Sequence, residues 1–274
     1  MSIKNIGFIG TGNMGMAIIK GIKHNKKLGD FKLFTFNRNL KTSESFLKNN
    51  LTTPLNSIKE LVEKTDVIFL GIKPKDMLNV LGQISPFVDS SKIIISMVVS
   101  WSIEKINSFL LKEGSKKIIR IMPNINANVN KSATAWCSSW ELSPIELINI
   151  EMLLKAFGAI YKIEESDFSK FAALAGSSPA LILYFYELFE NLAAEMELGY
   201  LNVKELFLSV FEGTFKNYLN SDLKPNEIIK QVTSPGGTTM EGIAVFDNSD
   251  FKLIVKEAIK AILKKDEKLS SILT

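Results

Sequence analysis

The stretch Ile6-Gly7-Phe8-Ile9-Gly10-Thr11-Gly12-Asn13-Met14-Gly15 decides the fold. An apolar run that reads as a strand leads straight into a turn with glycines at 10, 12 and 15. Ala17, Ile18, Ile19 and Ile22 then recur at helical spacing. In a strand, turn and helix joined this way each glycine has its own task. Gly10 permits the tight turn, Gly12 lets a pyrophosphate approach backbone N–H groups, and Gly15 lets the helix pack against the strand. The anion then sits at a helix N-terminus, where first-turn N–H groups lack internal partners and the helix dipole favours negative charge. Gly10, Thr11, Gly12, Asn13, Met14 and Gly15 are therefore expected to bind a dinucleotide.

Outward from this turn, β-rich runs alternate with helical patterns at 3–10, 31–37, 66–72, 92–99 and 117–122. That alternation predicts a parallel, doubly wound sheet. Two further β segments, 132–137 and 158–163, flank a helix that opens Ser143-Pro144-Ile145-Glu146, a cap, a first-turn proline and a capping-box glutamate, with Gly158 as its expected stop. Beyond Ile163 the spacing is helical throughout. The expected class is α/β: a Rossmann-like doubly wound domain over 1–163, followed by an all-helical domain over 164–274. Phe171 to Tyr186 reads as a buried helix with its leading turn, short of the ~20 apolar residues of a membrane span. The bulky face of Leu181, Ile182, Phe185, Leu188, Phe189 and Leu192 continues through Phe207, Val210, Phe211 and Phe215. It exceeds what a lone domain of this size hides, which predicts a subunit interface.

At the end of the second strand, where NAD binders place an acid on the ribose 2′-hydroxyl, the chain reads Asn37-Arg38-Asn39. Arg38 suits a dianionic 2′-phosphate, with both asparagines and Thr42 as further donors, so NADPH is expected and NADH is the alternative. Ile72-Lys73-Pro74 ends another strand on the carboxyl edge of the sheet, where Lys73 either touches the cofactor or caps its loop.

Composition narrows the chemistry. The 274 residues, 46% hydrophobic and 23% charged, supply enough apolar material for one large core or two ordinary ones. A net charge of +4 in short mixed runs is no nucleic-acid footprint. The single cysteine, Cys137, and the single histidine, His24, form neither a disulfide nor a zinc cluster, so no metal is expected and a reducing, cytoplasmic setting fits. The N-terminus does not read as a signal peptide, and no membrane association is expected. There is no Gly-x-Ser-x-Gly, which with the lone histidine argues against serine hydrolase chemistry. In the helical half, Thr233-Ser234-Pro235-Gly236-Gly237-Thr238-Thr239-Met240-Glu241-Gly242 sets two glycines and four hydroxyls before a helix, a small-anion cradle suited to a carboxylate.

At these residues the chain resembles pyrroline-5-carboxylate reductase over essentially its full length. The match is most specific at Ser234 to Thr239. It is accompanied, in the family's order, by Gly10 to Gly15, Ile72-Lys73-Pro74, Arg120-Ile121-Met122-Pro123-Asn124 and Ala173 to Ala180. The resemblance implies NAD(P)H-dependent reduction of 1-pyrroline-5-carboxylate to L-proline, a helical dimerisation domain giving a homodimer or larger homo-oligomer, and an active site between two subunits. It also implies that Ser234, Gly236, Gly237 and Thr238 hold the substrate carboxylate and that Thr239 faces the imine nitrogen as donor. Met122, Pro123 and Asn124 would line the nicotinamide side. Departures from the family pattern at Val98-Val99-Ser100, Ile125-Asn126-Ala127, Ser132, Ser178 and Leu181 bear on substrate identity more than on fold. They leave two alternatives, a paralogue reducing another cyclic imine acid and a catalytically silent NADP-binding regulator.

Overall fold

The computed structural model describes residues 3–25, 31–38, 51–110, 116–139 and 142–272. The chain divides into two compact units, Met1–Pro179 with Ile262–Thr274, and Ala180–Ala261.

Among the described residues, the first unit is built on eight strands: β1 (Asn5–Ile9), β2 (Lys32–Phe36), β3 (Thr53–Pro54), β4 (Val67–Leu70), β5 (Ile93–Ser96), β6 (Lys117–Met122), β7 (Ser132–Ser138) and β8 (Gly158–Lys162). Their spatial order is β3-β2-β1-β4-β5-β6-β7-β8. The chain winds away from β1 on one side through β2 and β3, and on the other through β4 onward. The carboxyl ends of β1 and β4 therefore flank the switch point at which open α/β sheets bind ligands. The fully parallel sheet expected from the sequence needs one correction, because β7 runs antiparallel to β6. Only the short 3-10 stretch Ile125–Val129 joins them, and a parallel return needs a crossover of a dozen residues or more. The two-residue edge strand β3, which contains Pro54, carries no periodic signal and was not anticipated.

The central strands of this sheet are buried on both faces. Val67 to Leu70 and Ile93 to Ser96 are buried at every position, and alternate residues feed two cores. Ile6, Phe8, Phe69 and Ile95 pack with Ile18, Ile19 and Trp136 on one side, where the Phe8 and Phe69 rings stack at 4.7 Å. Ile9, Ile68, Leu70 and Ile94 pack with Leu61, Leu81 and Trp101 on the other.

Among the described residues, the surrounding helices are α1 (Asn13–His24), α2 (Ile58–Lys64), α3 (Met77–Ile84), α4 (Ile103–Ser108) and α5 (Pro144–Lys155). Serine caps start three of them: Ser57, Ser102 and Ser143 accept from the N–H groups of Glu60, Lys105 and Glu146. At α5 the expected capping box is complete. Its stop is not Gly158. The helix ends at Lys155, and Gly158 opens β8 with φ +150°, pressed so closely on the Ser132 backbone that no Cβ fits.

From Phe168 onward the described residues are helical: α6 (Phe168–Phe171), a π-helical turn (Ala172–Gly176), α7 (Ser178–Glu195), α8 (Val203–Leu219), α9 (Pro225–Val232), α10 (Thr238–Asp247) and α11 (Phe251–Ile272). In the second unit Phe189 contacts Phe185 and Phe207 with ring centroids 5.0 Å apart in both cases, tying α7 to α8. The expectation of a buried helix around Phe171 to Tyr186 fails in the single chain. Ile182, Leu183 and Tyr184 are 58%, 64% and 66% exposed. By length and composition alone, the helical run Glu165–Glu195 is also long and apolar enough to cross a membrane.

Candidate active site

The residues of the phosphate turn take the conformations their types demand. Gly10 sits at φ +83°, and a Cβ there would meet the Gly71 carbonyl oxygen at 2.7 Å. At Gly15 a Cβ would lie 3.0 Å from the Gly10 carbonyl oxygen, so α1 packs against the turn only because that position is bare. Gly12 differs from both, since a Cβ there would meet nothing within 4 Å. It caps α1 with no side-chain bond to the helix.

A cavity of about 610 Å³ opens at this point, lined among others by Gly10, Thr11, Gly12, Asn37, Arg38, Ile72 and Lys73. Seven of the expected cofactor residues thus come together from β1, β2 and β4. Asn13, Met14 and Gly15 form the first turn of α1 behind them, and Pro74 starts the 3-10 helix Pro74–Asp76. Asn39 and Thr42 lie outside the described residues. Met122, Pro123 and Asn124 stand at the carboxyl end of β6 and do not line this cavity.

Asn37 gives the clearest sign of a ligand. Its Oδ1 accepts from the Thr11 N–H at 3.0 Å and from the Thr11 hydroxyl at 2.7 Å, which fixes the orientation of the amide. Its buried Nδ2 is left with no partner. A buried donor without an acceptor costs about 1–3 kcal/mol, and a polar cofactor atom in the adjoining cavity would remove that cost. With a bare helix N-terminus at Gly12 and an unmatched donor at Asn37, the residues fit a dinucleotide.

Lys75, Asp76, Asn79 and Gln83 also line the cavity and were missed in the sequence. They belong to the 3-10 turn and to α3, which follow Ile72-Lys73-Pro74. The local signal was there, but only the strand order brings these residues to the side of Arg38. There Asp76 Oδ2 accepts from Arg38 Nη2 at 2.9 Å. An acid from beyond β4 thus pairs with the arginine that follows β2.

Asn124 is buried at the end of β6. Its backbone N–H donates to Ser132 Oγ at 3.1 Å, and its Nδ2 donates to the Ala175 carbonyl at 3.0 Å. Ala175 lies in the π-helical turn, where the Ser177 N–H reaches the Ala172 carbonyl at 3.0 Å. Ser132, one of the departures, is thus a working hydrogen-bond partner. Ser100, another, adopts φ +68°, the left-handed conformation that a glycine would take without strain. Cys137 is buried, and burial pushes its thiol up to about 12, which removes it as a nucleophile.

In the second unit, Ser234-Pro235-Gly236-Gly237 forms a tight turn. The Gly237 N–H donates to the Ser234 carbonyl at 2.9 Å, with Gly236 at φ +73°. A Cβ on Gly237 would meet Ser234 Oγ at 2.5 Å. Gly237 then caps α10 with no side-chain bond, so the N–H groups of Thr238 and Thr239 open the helix without intrahelical acceptors. Ser234, Gly236, Thr238 and Thr239 are exposed. The Gly237 N–H is consumed by the turn itself.

Two family models match the chain, one described as pyrroline-5-carboxylate reductase dimerisation over residues 165–269 and one as NADP oxidoreductase coenzyme F420-dependent over residues 5–100. The pyrroline-5-carboxylate reductase of Aquifex aeolicus is 35% identical over 96% of this chain and 97% of its own. The chain belongs to the pyrroline-5-carboxylate reductase family. Among solved relatives, the Streptococcus pyogenes reductase is 30% identical, with a TM-score of 0.85 and coverage of 96% of this chain and 98% of its own. The Plasmodium falciparum pyrroline carboxylate reductase, solved with NADP bound, is 27% identical with a TM-score of 0.84 and covers 98% of each chain. The Rossmann-like sheet carries the NADP oxidoreductase match, and the helical region from residue 165 carries the dimerisation match.

Proposed function

We propose that the protein reduces 1-pyrroline-5-carboxylate to L-proline with NADPH, as a homodimer or larger homo-oligomer in the cytoplasm. Residues 1–163 serve the nucleotide and residues 164–274 serve the substrate and the partner copy. The single observation that carries this reading is the joint presence of the glycine turn with its open face at Gly12 and the Ser234 to Thr239 turn opening α10. Near full-length kinship with the reductases supports it.

A cyclic imine is already electrophilic. Its reduction needs a hydride, a fixed carboxylate and a proton, and neither a histidine base nor a metal. NADPH, when bound, supplies the hydride. Gly12 and the first turn of α1 hold its pyrophosphate, Asn37 and Arg38 face its adenosine end, and Met122, Pro123 and Asn124 border its nicotinamide. At the other reactant, the Thr238 N–H, the Ser234 hydroxyl and the Gly236 backbone hold the carboxylate, while the Thr239 hydroxyl donates to the imine nitrogen. Because the Gly237 N–H closes the turn, its contribution is to shape the cradle.

The test is NADPH oxidation driven by the pyrroline acid, measured in the parent and in Thr239→Ala. The expected result is turnover in the parent and a fall on the order of 10² in kcat, with a smaller change in KM, in the variant. A Thr239→Ala enzyme with normal turnover would remove Thr239 from the chemistry. Activity only on a six-membered imine acid would redirect the substrate.

A further inference from the structure

Nothing in the local sequence around Arg38 places an acid near the ribose, yet the fold brings one there. Asp76 follows β4 in the 3-10 turn and lines the same cavity as Arg38, Lys73 and Lys75. The ion pair is lopsided: the Arg38 side chain is 73% exposed and that of Asp76 only 17%. The carboxylate is the fixed member, and the guanidinium is a long arm laid against it. Asp76 is also the N-cap residue of α3 yet makes no side-chain bond to that helix, so its carboxylate is turned to Arg38 and away from the usual capping role.

We propose that Asp76 is a specificity-determining residue that limits the preference for NADPH over NADH. The proposal rests on the dinucleotide reading of the cavity. Three cations, Arg38, Lys73 and Lys75, attract a 2′-phosphate there. Asp76 neutralises part of that charge and adds repulsion toward a dianion. A ribose 2′-hydroxyl meets no such penalty and can donate to the carboxylate, as it does to the acid of NAD-binding folds. One guanidinium carries five N–H donors, so Arg38 can turn a second edge to the phosphate, but it does so beside a negative charge. The result is a pocket that prefers NADPH while still accepting NADH.

The experiment measures dissociation constants of NADPH and NADH by fluorescence titration, without imine, for the parent, Asp76→Asn, Arg38→Ala and the double variant. Asparagine keeps the shape and is itself a good N-cap, so the fold should hold; melting temperature checks this, and Asp76→Ser serves as a second variant. The expected outcome is a rise of about 3-fold to 10-fold in the NADPH-over-NADH ratio for Asp76→Asn. Arg38→Ala should lower the ratio, and should do so more with Asp76 present than in the Asp76→Asn background, because part of its loss is the uncovered carboxylate. A ratio unchanged or lowered in both Asp76 variants overturns the proposal while leaving the dinucleotide reading intact. If the folded parent binds neither nucleotide, the proposal and the reading beneath it both fall.

Discussion

Alanine at Gly12 should separate cofactor binding from folding, because the three glycines of the turn face different neighbours. At Gly12 the added methyl meets no protein atom within 4 Å, and the backbone, at φ −65° and ψ −169°, is open to any residue. Two small effects nearly cancel in stability. Alanine is a poorer helix cap than glycine by some tenths of a kcal/mol, and it lowers unfolded-chain entropy by about 0.4–1 kcal/mol. The net change should be under ~1 kcal/mol. Gly12 does, however, line the cavity, and a methyl there should crowd the approach of a pyrophosphate to the N–H groups of α1. Losing one charge-assisted bond at about 1.5–3 kcal/mol should raise the NADPH dissociation constant about 10-fold to 150-fold. Gly10→Ala has the opposite profile. It forces an L-residue to φ +83° and sets a methyl 2.7 Å from the Gly71 carbonyl oxygen, so unfolding free energy should drop by about 2–4 kcal/mol. Urea denaturation and NADPH fluorescence titration on the same samples read both quantities. A Gly12→Ala protein that binds NADPH like the parent, or that is as unstable as Gly10→Ala, would refute the assignment of Gly12 to the ligand.

Static light scattering should give a dimer or larger at micromolar concentration, and Ile182→Glu with Leu183→Glu should shift it toward monomer; a monomeric parent would sink the interface reading. Burial works against the charge of Glu146, but the Lys117 ammonium at 2.7 Å and the Ser143 N–H and hydroxyl outweigh it and hold the carboxyl below its ordinary range. Because the folded-state value is the lower one, this stabilisation is complete above the unfolded carboxylate value and is lost as pH falls through the folded value. Glu146→Gln should therefore cost about 1–3 kcal/mol at neutral pH and flatten the acid limb of a stability–pH curve, whereas an acid slope equal to the parent's would count against it.

Most of the cavity lining at the glycine turn was legible because its signals are local. A strand, three glycines and a helical run lie within 6–22, and the cap at Ser143 lies within four residues. What escaped was pairwise and distant. Arg38 and Asp76 are 38 positions apart, and only the β2-β1-β4 order sets the end of one strand near the end of another. The direction of β7 was missed for a related reason. Its residues read as a strand whichever way they run, and the deciding fact was the shortness of the Ile125–Val129 link. Gly158 was misread as a helix stop because a glycine after a helix usually is one. The contact that requires it is with Ser132, on the neighbouring strand.

The helical half poses the reverse problem, since its composition was read correctly and its burial was not. Phe185, Phe189, Phe207 and Phe211 find one another and become half-buried, while Ile182, Leu183, Tyr184, Leu192, Val210 and Phe215 remain exposed. Fully burying a large apolar side chain contributes about 1.5–3 kcal/mol, and these six are still 50–66% exposed, so covering the rest of them is worth about 5–10 kcal/mol per copy, comparable with the ~4–15 kcal/mol of freedom lost on association. A face of that strength either crosses a lipid bilayer or meets another protein surface. The charge pattern of the helix suits the second. Glu187, Glu190 and Glu195 interrupt the same helix, and Tyr186 already donates to Glu190 at 3.0 Å, a pattern costly in hydrocarbon and ordinary at a protein interface. Since the match to the dimerisation model spans this helix and the four that follow it, the cover it implies is a second copy of the chain. The hydrophobic periodicity was thus a poor guide to a core within one chain, because a sequence does not distinguish burial inside a subunit from burial between subunits.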